Sequence, residues 1–197
     1  LSTMSETGRE LVNFFYQRDE DRKKQLSSSY KGHPDCDVSD NLPYGVRVAF
    51  GNPFPGPSVG TAIFPYTLQL KNDTLVINSP IPDGYGLQLL GHEISHWAQG
   101  AVRFTIQGEL LARFVERQLR KDLQSFANVN EYSEITRVLT DSYNPFYLPD
   151  LLLAKNAMIG AFGAGYTLFP LPTSGRLDEN WLAKFHVKIN PPARENS

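Results

Sequence analysis

The sequence predicts an α+β fold: a small antiparallel sheet packed on a helix that carries a His-Glu-x-x-His pattern and on the helix after it, with further C-terminal helices. Three observations lead there. Short β-prone apolar runs fall between residues 44 and 78, separated by Pro- and Gly-rich loops. After Pro80, Pro82, Asp83 and Gly84 the apolar spacing changes to a helical period, which continues over 85–187. The chain has 197 residues, 41% apolar and 20% charged, enough for one domain with a core.

Residues 5–26 read as a charged helix with apolar positions at Leu11, Val12, Phe14, Phe15 and Tyr16, ending in Ser27–Ser29. This sets an N-terminal helix or arm (1–30) apart from a single catalytic domain (31–197), with its sheet at 44–78 and helices at 85–187. Residues 30–43 form a loop, broken by Gly32, Pro34 and Pro43. Strands are expected at Tyr44–Phe50, Thr61–Leu70 and Thr74–Asn78. Lys71-Asn72-Asp73 suits a hairpin between the last two. Helices follow over 85–100 and 106–126, with weaker patterns at 130–142, 149–164 and 177–186.

Several classes are excluded by composition. A formal charge of −2 leaves no basic surface for nucleic acid. One cysteine, Cys36, allows neither an internal disulfide nor a multi-cysteine metal site. The most apolar stretch, Leu151–Phe169, contains Lys155 and Asn156 and reads as a buried helix, so no clear membrane span is expected. The first residue is Leu, which suggests a processed or trimmed chain; no signal peptide is visible. Compartment and oligomeric state leave no trace in the sequence.

The chemistry concentrates in Gly91-His92-Glu93-Ile94-Ser95-His96-Trp97. Residues four apart on a helix stand one above the other, so His92 and His96 can offer two imidazole nitrogens to one metal ion. With His92 at zero on a wheel advancing ~100° per residue, His96 falls near 40° and Glu93 near 100°. Leu87, Leu90, Ile94, Trp97, Ala98 and Ala101 fall between about 140° and 240°. One face of the helix anchors in the core and the other is free for a metal. A third ligand is expected from the next helix, where Glu109, Arg113, Glu116 and Arg120 share a stripe opposite Leu110, Leu111, Phe114, Val115 and Leu119. Glu109 follows His96 by 13 positions and Glu116 by 20. With Thr105 capping a short connection, Glu109 comes nearest His96, and Glu116 lies about 10 Å further along the axis. Glu109 is the favoured ligand and Glu116 the alternative. The glutamate not used would belong to a solvated face of i,i+4 ion pairs with Arg113 or Arg120.

These residues resemble the zincin metallopeptidases, and within them the gluzincins, where a downstream glutamate completes the site. The layout is similar to the minigluzincins over about residues 60–120. Glu109-Leu110-Leu111-Ala112 is similar to the Glu-x-x-Ala pattern of glutamate helices, whereas Glu116 matches the spacing of thermolysin-like enzymes. Where those enzymes carry an Asp one turn beyond the glutamate, this chain has Arg113 or Arg120; Asp141 or a backbone carbonyl is the expected substitute partner for a ligand histidine. The resemblance implies one zinc ion held by His92, His96 and Glu109, with Glu93 as general base on a zinc-activated water. It implies hydrolysis of peptide bonds in a peptide or protein substrate. It assigns Thr74, Leu75, Val76, Ile77 and Asn78 to an edge strand on which substrate pairs by main-chain hydrogen bonds. Tyr132, Tyr143, Tyr147 and His186 are available as oxyanion donors. The alternative is an inactive or latent zinc-binding interaction domain, with residues 5–26 as the plug.

Overall fold

The computed structural model describes residues 5–17, 47–50, 68–71, 74–77, 83–124 and 132–189, with side chains for 5–17, 87–124 and 134–189. Six α-helices can be followed: α1 (6–17), α2 (Asp83–Trp97), α3 (Ile106–Leu123), α4 (Tyr132–Ser142), α5 (Leu148–Phe162) and α6 (Glu179–Lys184). Single 3-10 turns at Gly100–Phe104 and Ala164–Leu168 follow α2 and α5.

The expected α+β class is corrected. Of the residues whose side chains are described, 76% are helical and none lies in a strand. Every buried apolar residue of the main core comes from a helix or from the turn after α6: Leu11 of α1, Ile94 and Trp97 of α2, Leu110, Leu111 and Leu119 of α3, Leu139 of α4, Met158 of α5, and Phe185 and Val187. Among the residues whose side chains are described, helix faces close against one another there.

Strand pairing is confined to three four-residue segments, β1 (Arg47–Phe50), β2 (Leu68–Lys71) and β3 (Thr74–Ile77). Their ladder is mixed rather than antiparallel. The order is β1-β3-β2, with β1 parallel to β3 and β2 antiparallel to it. The pairing of Lys71 with Thr74 fits the tight connection expected there. β3 is the middle strand, so the assignment of Thr74, Leu75, Val76 and Ile77 to a free edge is withdrawn: both hydrogen-bonding edges already have partners. Asn78, and the remainder of the expected 44–50 and 61–70 strands, lie outside the described residues.

Several helix ends have a local cause. Ser5 Oγ accepts from the Gly8 N–H at 2.9 Å and starts α1. Thr105 caps α3 as its sequence predicts, its side chain accepting from the Gly108 N–H at 3.2 Å. Pro149 sits in the first turn of α5, and Gly163, at φ +100°, ends that helix. α6 begins at Asp178, which accepts from the Asn180 N–H at 3.0 Å. The expected helix over 149–164 therefore stops two residues early and turns through a 3-10 segment. No helix among the described residues is long and apolar enough to cross a membrane.

The expected N-terminal arm is part of the core as far as it is described. Leu11 is fully buried, and Phe15 lies 5.9 Å, ring to ring, from Trp97. The Thr7 hydroxyl donates to the Phe185 carbonyl at 2.7 Å. Leu11 approaches Gly91 of α2 as well, where an added Cβ would stand 3.2 Å from its Cδ1. Residues 18–26 of the expected helix lie outside the described residues.

Candidate metal centre

α2 and α3 pack face to face, with Gly91 set close on α3: a Cβ there would stand 2.0 Å from Leu119 Cδ1. This approach places His92 and His96 opposite the first turns of α3. His92, His96 and Glu109 each offer a ligand atom, all within 4.8 Å of one another, and the group can hold a metal ion. The Nε2 atoms of His92 and His96 are 3.2 Å apart. Glu109 Oε1 is 3.4 Å from His96 Nε2, and Oε2 is 3.8 Å from His92 Nε2. His92 is 4% exposed, His96 7%, Glu109 7% and Glu116 0%. The solvated stripe of i,i+4 ion pairs is thus replaced by a buried polar seam between two helices.

The outer nitrogens of the two rings decide what the inner ones present. His92 Nδ1 lies 3.1 Å from Glu116 Oε2. His96 Nδ1 lies 3.0 Å from Gln99 Oε1. Both partners are acceptors, so each meets an Nδ1–H, and a neutral ring so held turns a lone pair at Nε2 toward its neighbour. Burial pushes His96 down to about 4 against the opposing pull of Glu109, so this ring is neutral near pH 7. Two lone pairs at 3.2 Å repel; a cation between them and the carboxylate satisfies all three.

Zinc fits this donor set. Nitrogen and oxygen ligands at ~2.0–2.1 Å in a tetrahedron are separated by roughly 3.3–3.4 Å. Two of the three separations, 3.2 and 3.4 Å, are close to that value.

Glu116, the alternative ligand, stands behind His92 instead. Its Oε2 also accepts from Arg113 Nη1 at 2.9 Å, and its Oε1 accepts from the Thr136 hydroxyl of α4 at 3.1 Å. Burial alone would raise its pKa. The Arg113 charge, with His92 and Thr136, overcomes that and holds it at about 2, so Glu116 is a carboxylate. It takes the supporting role expected of Asp141, which instead pairs with Arg117 and Arg137.

Arg113 would repel a cation if it pointed at the histidines unpaired. It is pinned between Glu116, the Tyr166 hydroxyl at 3.3 Å and the Phe162 ring at 4.6 Å. Burial works against its charge, but Glu116, Tyr166 and Glu109 more than restore it, so Arg113 remains a guanidinium.

Glu93, the expected base, is half-buried beside the group, and its charge acts on the Tyr166 hydroxyl. Tyr166 lies closer to the group than any of the expected oxyanion donors whose side chains are described. Its hydroxyl is 3.4 Å from Glu109 Oε2, and burial, then Glu109, raises its pKa, so the phenol stays protonated. Tyr143 packs against the core, Tyr147 is exposed, and the Tyr132 side chain lies outside the described residues. His186 is remote from the group, 3.6 Å from Glu6 at the start of α1. Tyr166 and Gln99 were not singled out by the sequence. The signal for Tyr166 was Gly163-Ala164-Gly165, which ends α5 and turns the next residue back onto α3.

Neither protein-family models, nor characterised proteins, nor solved structures give a match to this chain. What the site does is therefore read from its own chemistry.

Proposed function

We propose that this chain is a zinc-dependent metallopeptidase in which His92, His96 and Glu109 hold one zinc ion and Glu93 is the general base. The observation that carries the reading is the pair of imidazole Nε2 atoms converging at 3.2 Å beside the Glu109 carboxylate. When bound, zinc supplies a Lewis acid that acidifies water toward pKa ~7 and polarises a scissile carbonyl. Glu93 follows the first histidine, beside the pair rather than beneath it. There its carboxylate takes the proton of the attacking water and returns it to the leaving amine. Glu116 and Gln99 hold the two rings by their outer nitrogens. Tyr166 is a protonated donor at the margin of the group.

Hydrolysis of unstructured peptides, compared between the chain and Glu93→Gln with zinc content measured for both, tests this. One zinc in each and turnover in the first alone is the expected result. Equal turnover removes Glu93 as the base. The burial of all three ligands favours one other reading, a zinc-binding domain without turnover. Zinc retained with no hydrolysis by either protein would select it.

A further inference from the structure

We infer that Gln99 is the positioning residue of the proposed metal site, fixing His96 in its Nδ1–H form while tying the end of α2 to the residue before Glu109. The inference rests on the reading of His96 as a ligand, but its first test does not need the metal. Gln99 is 2% exposed and uses both ends of its amide. Its Nε2 donates to the Gly108 carbonyl at 2.8 Å, and its Oε1 faces His96 Nδ1 at 3.0 Å. A carbonyl only accepts, so the NH2 group must lie on the Gly108 side and the oxygen on the His96 side. The amide cannot turn over without setting oxygen against oxygen at one end. The histidine proton is thereby confined to Nδ1, and Nε2 is left as a lone pair on the side of His92 and Glu109.

Gly108 belongs to the same device. A Cβ on it would stand 2.3 Å from the Val102 carbonyl oxygen and 2.7 Å from Gln99 Oε1. Only a glycine lets the first turn of α3 close onto the amide, and the next residue along that turn is Glu109. One side chain therefore sets the direction of one ligand and the seat of another. Partners of this kind on ligand histidines are worth ~10–100-fold in metal affinity.

Long-range 1H–15N spectra of the metal-free full-length chain at pH 8 report the histidine tautomers directly, and the chain has only four histidines to assign. Wild type is expected to show His96 protonated at Nδ1. Gln99→Met, which keeps the bulk and loses both hydrogen bonds, is expected to shift His96 toward the Nε2–H form and leave His92, held by Glu116, unchanged. Its zinc affinity, by chelator competition, is expected to fall ~10–100-fold. Gln99→Glu keeps an acceptor at His96; it is expected to retain the Nδ1–H form and bind zinc more tightly than Gln99→Met. Should Gln99→Met fail to fold, Gln99→Glu against wild type still decides: an Nε2–H His96 in that variant overturns the inference. So does a folded Gln99→Met with His96 unchanged, or with zinc affinity within twofold of wild type. If wild type binds no zinc yet Gln99→Met changes the His96 tautomer, the metal reading fails and the positioning role stands.

Discussion

His92 and His96 occupy equivalent places in the motif but are held by different chemistry. A carboxylate braced by Arg113 holds the first, and a neutral amide holds the second. The two glutamates of α3 should respond differently to truncation. Glu109→Ala removes the proposed third ligand and is expected to take zinc below one per chain, measured by elemental analysis after dialysis. Glu116→Ala leaves the Arg113 guanidinium buried without its main partner. It is expected to cost about 3–5 kcal/mol of stability in denaturant unfolding, with zinc affinity falling ~10–100-fold. Glu93→Gln keeps the side chain's size and removes the carboxylate of the proposed base. It is expected to retain zinc and lose ~10²–10⁴ in peptide hydrolysis. The pairing of His92 with His96 was legible because an i,i+4 pair opposite an apolar stripe is a periodic signal. Glu109 and Glu116 share one stripe, and spacing cannot show which glutamate reaches the histidines until the turn 98–105 is folded. Gln99 carries no pattern, and Tyr166 only the glycines that precede it; tertiary structure brings both to the site.

At the level of elements, the seam between α2 and α3 depends on two close approaches. Gly91 faces the flexible end of Leu119, whereas Gly108 faces backbone at 2.3 Å. Gly108→Ala must therefore push α3 away from the 3-10 turn. About 1–3 kcal/mol of destabilisation is expected in urea unfolding, together with weaker zinc binding. α2 and α3 were readable because long runs of helical period leave few alternatives. The sheet was read less well. Alternation predicts that a segment is extended, but not whether its neighbour runs parallel. The parallel pairing of Arg47–Phe50 with Thr74–Ile77 places β3 in the middle, where a free edge had been expected. The expected α5 overran because Gly163, at φ +100°, closes the helix two residues before the apolar pattern ends.

Over the whole molecule, the site is a buried polar layer within a helical core, and an ion bound there is coupled to folding. A ligand that binds only the folded chain stabilises it by ~2.7 kcal/mol at a hundredfold excess over its Kd. For a chain of this size that corresponds to a Tm about 5–10 °C higher with zinc than after chelation. His96→Ala is expected to abolish the difference in a thermal melt. The fold class was the weakest large-scale expectation. Composition bounded the size of the core, and the periods located its helices, but the apolar runs before residue 80 carried more weight in the prediction than they carry in the described core, where no strand residue takes part.

The most direct test of the central claim is zinc titration of the purified, metal-free chain beside its His92→Ala and His96→Ala variants, followed calorimetrically. One zinc per wild-type chain, with binding lost in both variants, is the predicted result. A wild-type chain that takes up no zinc, or binds it equally well without either imidazole, would contradict the account.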